Sequence, residues 1–165
     1  MPDSRDARVD PLDARLLRLL ADQPRIGMLE AARQLGVARG TVQARLARLT
    51  RTGVVLGFGP DVDLAAIGYG VTAFTTLEIA QGRGAHVVAR LAEIPEVLEA
   101  HTITGPGDVL CRVVARSNRH LQEVLDRITR VSGINRTSSV IATSTPVSYR
   151  ALPLVVATAE GDLNG

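Results

Sequence analysis

The chain has 165 residues, room for one large domain or two small ones at a usual domain length of roughly 100–150. Hydrophobic residues make up 45% and charged residues 22%, which excludes wholesale disorder, and no apolar run approaches the roughly 18 residues of a spanning helix. A formal net charge of +2 is too small to announce a nucleic-acid binder by itself, and the single cysteine, Cys111, excludes an internal disulfide or a cysteine-based zinc site.

The first residues, Met1-Pro2-Asp3-Ser4-Arg5-Asp6, hold no apolar signal core, so the expected location is the cytoplasm, away from any membrane. Every cation is arginine and lysine is absent, a compositional bias that says little about mechanism. The distribution of charge is more informative. Residues 1–53 carry ten arginines against six acids, whereas residues 54–165 carry nine against eleven. From Ala31 to Gly53 there are five arginines and no acid, so one short segment holds the positive field.

Asp10-Pro11 predicts a helix start, with Asp10 as cap and Pro11 at the first helical position. Leu12, Leu16, Leu19 and Leu20 recur at helical spacing until Pro24 stops the run near Gln23. A short second helix is predicted from about Met28 to Leu35, closed by Gly36 as a C-cap glycine. A third, from about Arg39 to Thr52, turns Val42, Leu46 and Leu49 toward the other two, and Gly53 ends it. The connection between the second and third helices is about four residues long and contains glycine, as a helix-turn-helix connection does. Val54-Val55-Leu56-Gly57-Phe58 then reads as a short strand, the wing or linker strand after a tri-helical head.

From Val71 the period changes. Val71 to Ile79 is rich in β-branched residues and predicts a strand; Val87, Val88, Leu91 and Ile94 mark a helix ending before Pro95. Strands from about Val97 to Thr104 and Val109 to Ala115 flank a Gly105-Pro106-Gly107-Asp108 turn. A long helix capped by Ser117 or Asn118 carries Leu121, Val124, Leu125, Ile128 and Val131, and a last strand runs from about Ile134 to Thr143. The order β-α-β-β-α-β is ferredoxin-like, so the predicted class is α+β, with a winged tri-helical head joined to a sheet domain. Neither face of the first strand is strongly polar, which predicts a dimer through the open sheet faces. Tyr149 to Val156 reads as a further strand. The expected domains are residues 1–58, a linker 59–70, the sheet domain 71–156 and a flexible tail 157–165.

On the third helix, the face opposite Val42, Leu46 and Leu49 holds Gly40, Ala44, Ala47, Arg48 and Arg51, bordered by Thr41 and Arg45 on one side and Arg39 and Gln43 on the other. Small residues let a helix backbone sink into a major groove about 12 Å wide while the arginines reach phosphates or guanine edges. Thr41 and Gln43 offer uncharged hydrogen bonds near the end where a recognition helix meets bases. Arg48 either reads a guanine or holds a phosphate. These nine residues are the predicted contacts to double-stranded DNA.

Other chemistry has little support. His86, His101 and His120 lack metal-ligand spacing, Cys111 reads as a small core residue, and Gly82-Arg83-Gly84 lacks the spacing of a phosphate loop. Neither metal nor cofactor is expected.

Laid end to end, the sequence resembles the Lrp/AsnC family, the leucine-responsive or feast/famine transcription regulators, from about Leu12 to Leu154. Leu12-Asp13, Gly36-Val37, the third-helix residues Thr41, Arg45 and Leu49, and Gly53-Val54-Val55 with Gly57-Phe58 are similar to the head pattern of that family. Thr104-Gly105-Pro106-Gly107-Asp108 is similar to its Gly-x-x-Asp turn. Two caps depart: Ala38 stands where the family has a serine, and Gly27-Met28 where it has a polar cap. The resemblance implies a sequence-specific regulator, dimeric or larger, whose second domain senses a small effector, commonly an amino acid. It implies Thr104, Gly105, Gly107, Asp108 and, more weakly, Ser139 as effector residues. The glycines would admit a ligand close to the backbone and Asp108 would pair with its ammonium; the same turn also reads as a tight hairpin that simply needs glycine. Two other functions fit the architecture: a sirohaem-decarboxylase-like enzyme, with His101 as its only candidate residue, and a sensor module without operator binding.

Overall fold

The computed structural model describes residues 8–161, so the expectations for residues 1–6 and for the last four residues of the tail lie outside the described residues. In chain order the elements are α1 (Pro11–Asp22), α2 (Met28–Leu35), α3 (Arg39–Arg51), β1 (Val71–Ile79), α4 (Gly84–Leu91), β2 (Val97–Thr102), β3 (Val109–Ala115), α5 (Asn118–Thr129), β4 (Ile134–Ala142) and α6 (Leu152–Gly161). They form two compact units. One runs to Pro60 and resumes at Ser148; the other spans Asp61–Val147. None of the described helices is long and apolar enough to cross a membrane.

The head opens with a capping box. The Asp10 carboxylate accepts from the Asp13 backbone N–H at 2.9 Å, and the Asp13 carboxylate accepts from the Asp10 N–H at 3.1 Å. Gly36, at φ +70°, caps α2 in the left-handed region, and Gly53 turns the chain at φ +75° after α3. The core joins Leu16 of α1, Ala31, Ala32 and Leu35 of α2, and Val42 and Leu49 of α3. Fully buried leucines such as Leu16 and Leu49 each contribute roughly 1.5–3 kcal/mol.

Two predicted segments fold otherwise. Residues 54–58 form no strand: the backbone N–H groups of Val54 and Val55 both donate to the Leu49 carbonyl, at 2.9 and 3.1 Å, tying this segment to the end of α3. Their branched side chains pack on the head core, so the β-propensity is spent on burial in place of strand pairing. Residues 152–161, expected as a strand followed by a tail, form α6, which packs on α1. Leu152, Val155, Val156 and Ala159 lie at i, i+3, i+4 and i+7, a helical stripe, and Ala159 is buried in the head core. The C-terminal segment thus belongs to the head unit and not to the sheet unit.

The sheet unit keeps the predicted β-α-β-β-α-β order, with antiparallel strands in the spatial order β2-β3-β1-β4. Ala73 pairs with Val113, Thr75 with Cys111 and Leu77 with Val109. Their side chains share one face with Val87 and Leu91 of α4 and Leu121, Val124 and Ile128 of α5. The buried Thr75 hydroxyl is satisfied by Ser139 Oγ at 3.0 Å. On the other face Phe74 and Val140 are a cross-strand pair left largely exposed, beside an Arg112–Glu99 ion pair at 3.2 Å.

Candidate nucleic-acid interface

Helix α3 is held against α1 by charge as well as by its leucines. Asp13, wholly inaccessible to solvent, accepts from Arg45 at 2.9 Å through one oxygen and from Arg48 through the other. Arg45 also donates to Asp10, and Arg48 donates to the Arg8 carbonyl at 3.0 Å. The first turn of α1 therefore grips the middle of α3 through four charged groups. Arg15 extends the bracing by donating to the Leu35 carbonyl at the end of α2, 3.2 Å away. Partial burial raises the Asp10 carboxyl, but the hydrogen bond from Arg45 and those from the α1 backbone outweigh it and hold the group below its ordinary value. Hydrogen bonds to Asp10 and then Asp13 raise Arg45 in turn.

Arg45 and Arg48 are accordingly not the free cations that an acid-free stretch from Ala31 to Gly53 suggests. Their side chains are 27% and 30% exposed and are paired with acids 32 to 35 positions earlier in the chain. The remaining predicted contacts stand differently. Arg39, Gly40, Gln43, Ala44, Ala47 and Arg51 are exposed, Thr41 is half-buried, and neither Arg39 nor Arg51 forms an ion pair among the described residues. Gly40 and Ala44 border a groove between α3 and the start of α1, with Asp10, Arg45 and Arg48 on its walls. Sequence reasoning assigns Asp10 only a capping role and Asp13 none. The Asp-x-x-Asp spacing at a helix start was the available signal, because it puts two carboxylates on one turn.

In the sheet unit, the Gly105–Asp108 turn is braced on β1. Asp108 N–H donates to the Leu77 carbonyl at 2.8 Å, and one Asp108 carboxylate oxygen accepts from the Ile79 N–H at 2.6 Å, where the β1–β4 register slips. Gly107, at φ +96°, is irreplaceable for space as well: a Cβ there would meet Thr76 Cγ2 at 2.3 Å. Gly105, at φ +109°, faces open space, and Thr104 is exposed. Beside the turn runs a groove lined by Thr76, Glu78, Pro106, Arg136, Thr137 and Ser138. Ser139 is not gathered there. It pairs with Thr75 on the helix-covered face, one position out of phase with Ser138.

The groups proposed for other chemistry are scattered. His86 and His101 are exposed, and burial pushes the Cys111 thiol up to about 11, which keeps it an inert core group. Among the described residues no three His, Cys, Asp or Glu side chains converge as metal ligands.

Comparison with known proteins bears on both units. Residues 9–50 match the AsnC-type helix-turn-helix domain and residues 72–152 the Lrp/AsnC ligand binding domain. The HTH-type transcriptional regulator Rv2324 of Mycobacterium tuberculosis is 33% identical over 83% of this chain and 93% of its own length. The regulator AldR of Mycolicibacterium smegmatis is 30% identical over 91% and 86%. Among solved structures, E. coli AsnC superposes with a TM-score of 0.82 at 28% identity, covering 88% of this chain and 99% of that one. The feast or famine regulatory protein Rv3291c of M. tuberculosis, in complex with L-methionine, superposes at 0.77 with 30% identity, covering 87% and 98%. A helix-turn-helix head whose third helix presents a small-residue face, joined to a ferredoxin-like ligand-binding unit, makes this chain a member of the Lrp/AsnC family of effector-responsive, DNA-binding transcriptional regulators.

Proposed function

We propose that the exposed arc of α3 is the surface that meets the major groove, with Gly40, Ala44 and Ala47 against the base edges. Arg39 and Arg51 engage phosphates, and Gln43 and Thr41 supply uncharged hydrogen bonds. Arg45 and Arg48 set the pose of the helix from within the Asp10–Asp13 clamp and offer only their remaining N–H groups to DNA. The observation that carries this reading is the contrast on one helix between two exposed arginines and two compensated ones. The chain acts as a homodimer or larger assembly joined through the open sheet face around Phe74 and Val140, spacing two copies of α3 about 34 Å apart along one side of the duplex. It works as a regulator and not as an enzyme, in the cytoplasm with its DNA; the relatives' regulator names support this.

For the effector we infer an amino acid in the groove beside the Gly105–Asp108 turn. Glu78 and Arg136, 3.9 Å apart, supply one charge of each sign for a zwitterion, and Asp108 keeps one oxygen for the ligand. Thr104 and the backbone at Gly105 and Gly107 line its approach, and Ser138 takes the part first given to Ser139. The L-methionine held by Rv3291c supports the ligand class.

The test is quantitative DNA binding on fragments that the protein itself selects from genomic DNA. Arg39→Ala and Arg51→Ala each weaken binding and lower the salt slope by about 0.9 per lost phosphate contact. If neither changes affinity or slope, the α3 arc is not the interface. In a thermal-shift panel of amino acids, a true effector at 100 times its dissociation constant adds about 2.7 kcal/mol, and the gain disappears in Arg136→Ala. No stabilisation by any amino acid removes the effector assignment.

A further inference from the structure

We propose that Asp10 and Asp13 are specificity-determining residues for DNA binding: they cancel the charge of Arg45 and Arg48, so these two arginines contribute direction without sequence-blind attraction. The inference rests on α3 being the DNA-facing helix. Two carboxylates and two guanidiniums converge at the start of α1, and the formal charge of the four groups is zero. Arg45 engages both acids through one nitrogen, while Arg48 uses one nitrogen for Asp13 and the other terminal nitrogen for the Arg8 carbonyl. Each guanidinium carries five N–H donors, so both retain donors after the clamp is made. What the pairing removes is net charge.

The position of Asp10 makes the cancellation matter to DNA. Its side chain is 47% exposed and stands on the wall of the groove that Gly40 and Ala44 also line. A phosphate entering that groove meets a carboxylate together with the guanidiniums. Non-specific affinity grows with the number of phosphates neutralised, and each uncompensated cation that reaches one steepens the dependence on salt. An acid that removes cations from this count weakens the non-specific mode most, because that mode rests almost entirely on phosphate contacts. Hydrogen bonds that depend on base identity keep their geometry, so the gap between right and wrong sites widens.

Asp10→Asn isolates the effect, because asparagine caps a helix as well as aspartate does. Binding of the full chain is measured against a random-sequence duplex and a self-selected genomic fragment, from about 50 to 200 mM salt. The variant is expected to bind the random duplex several-fold more tightly than wild type, with a slope steeper by up to about 0.9, and with a smaller ratio of selected to random affinity. Asp10→Ser, a second neutral cap, reproduces the change, and adding Arg45→Gln to Asp10→Asn returns the slope to the wild-type value. An unchanged or shallower slope overturns the proposal, as does a steepening that survives Arg45→Gln. Weaker binding of both duplexes in both neutral-cap variants also overturns it, since the carboxylate would then be purely structural. Wild-type protein that binds neither duplex in a salt-dependent way sinks the α3 reading itself, a result distinct from a normal wild-type slope that Asp10→Asn leaves unmoved.

Discussion

In the head, Asp13 is enclosed by two guanidiniums and a backbone N–H, whereas in the sheet unit Glu96 lies between Arg127 at 2.6 Å and His120 at 3.4 Å with no well-aligned donor on Oε2. The backbone N–H of Arg116 donates to His120 Nδ1 at 3.1 Å, so the neutral ring carries its proton on Nε2, toward Glu96. Both carboxylates are buried, but only the first is fully matched. A buried charge that several donors share fixes the pose of the elements that carry those donors. A buried charge met by a poorly aligned guanidinium leaves its surroundings room to adjust.

The contrast predicts unequal costs. Asp13→Ala takes the buried carboxylate from two arginines and destabilises the head by about 3 kcal/mol, at the low end for a broken buried pair because the arginines are partly solvated and keep Asp10 and the Arg8 carbonyl as partners. Glu96→Ala costs about 1 kcal/mol, read like the first by urea unfolding under far-ultraviolet circular dichroism. Equal costs would break the comparison. Within the sheet unit, Gly107→Ala loses about 2 kcal/mol through its left-handed backbone and the collision with Thr76, while Gly105→Ala, at a similar φ but in open space, loses about 1 kcal/mol. A reversed order would mean that the turn is not seated on β1 as described.

The smallest effect concerns pH. Burial raises the Glu96 carboxyl, but the close Arg127 guanidinium and further attractions outweigh it, so Glu96, like Asp10, titrates below its ordinary value when folded. Both contributions are complete above the unfolded carboxylate range and are lost as pH falls through the lower folded values, beneath about pH 4. Asp10→Asn therefore shows a shallower loss of urea midpoint on acidification than wild type. Identical acid profiles would remove the charge component of the clamp.

Much of the fold was legible because two periods dominate the chain. Leu12, Leu16 and Leu19 announce a helix locally, and the alternation of Val71 to Ile79 announces a strand locally. The failures have a common cause. Val54-Val55 and Val155-Val156 satisfy a strand pattern, yet what a branched residue packs against is decided by distant parts of the chain, here the head core in both cases. The candidate site was half legible for the same reason. The exposed residues of α3 follow from its own period, whereas pairing of Arg45 and Arg48 with acids on another helix has no local signature. Gly107 was found for its turn, but its tight fit to Thr76 depends on strand pairing that local sequence does not encode.

The chain leaves the head near Pro60 and comes back to it at Ser148, so the sheet unit is topologically an insertion between α3 and α6. A protease nick around Gly57 would leave two fragments still clasped through α6 on α1. A head cut away at the same point would lose the helix that shields part of its own core, and a sheet unit carried through residue 161 would bear an orphan helix with Val155 and Ala159 uncovered. Dissection of this regulator into separately expressed halves should therefore keep residues 148–161 with the N-terminal half.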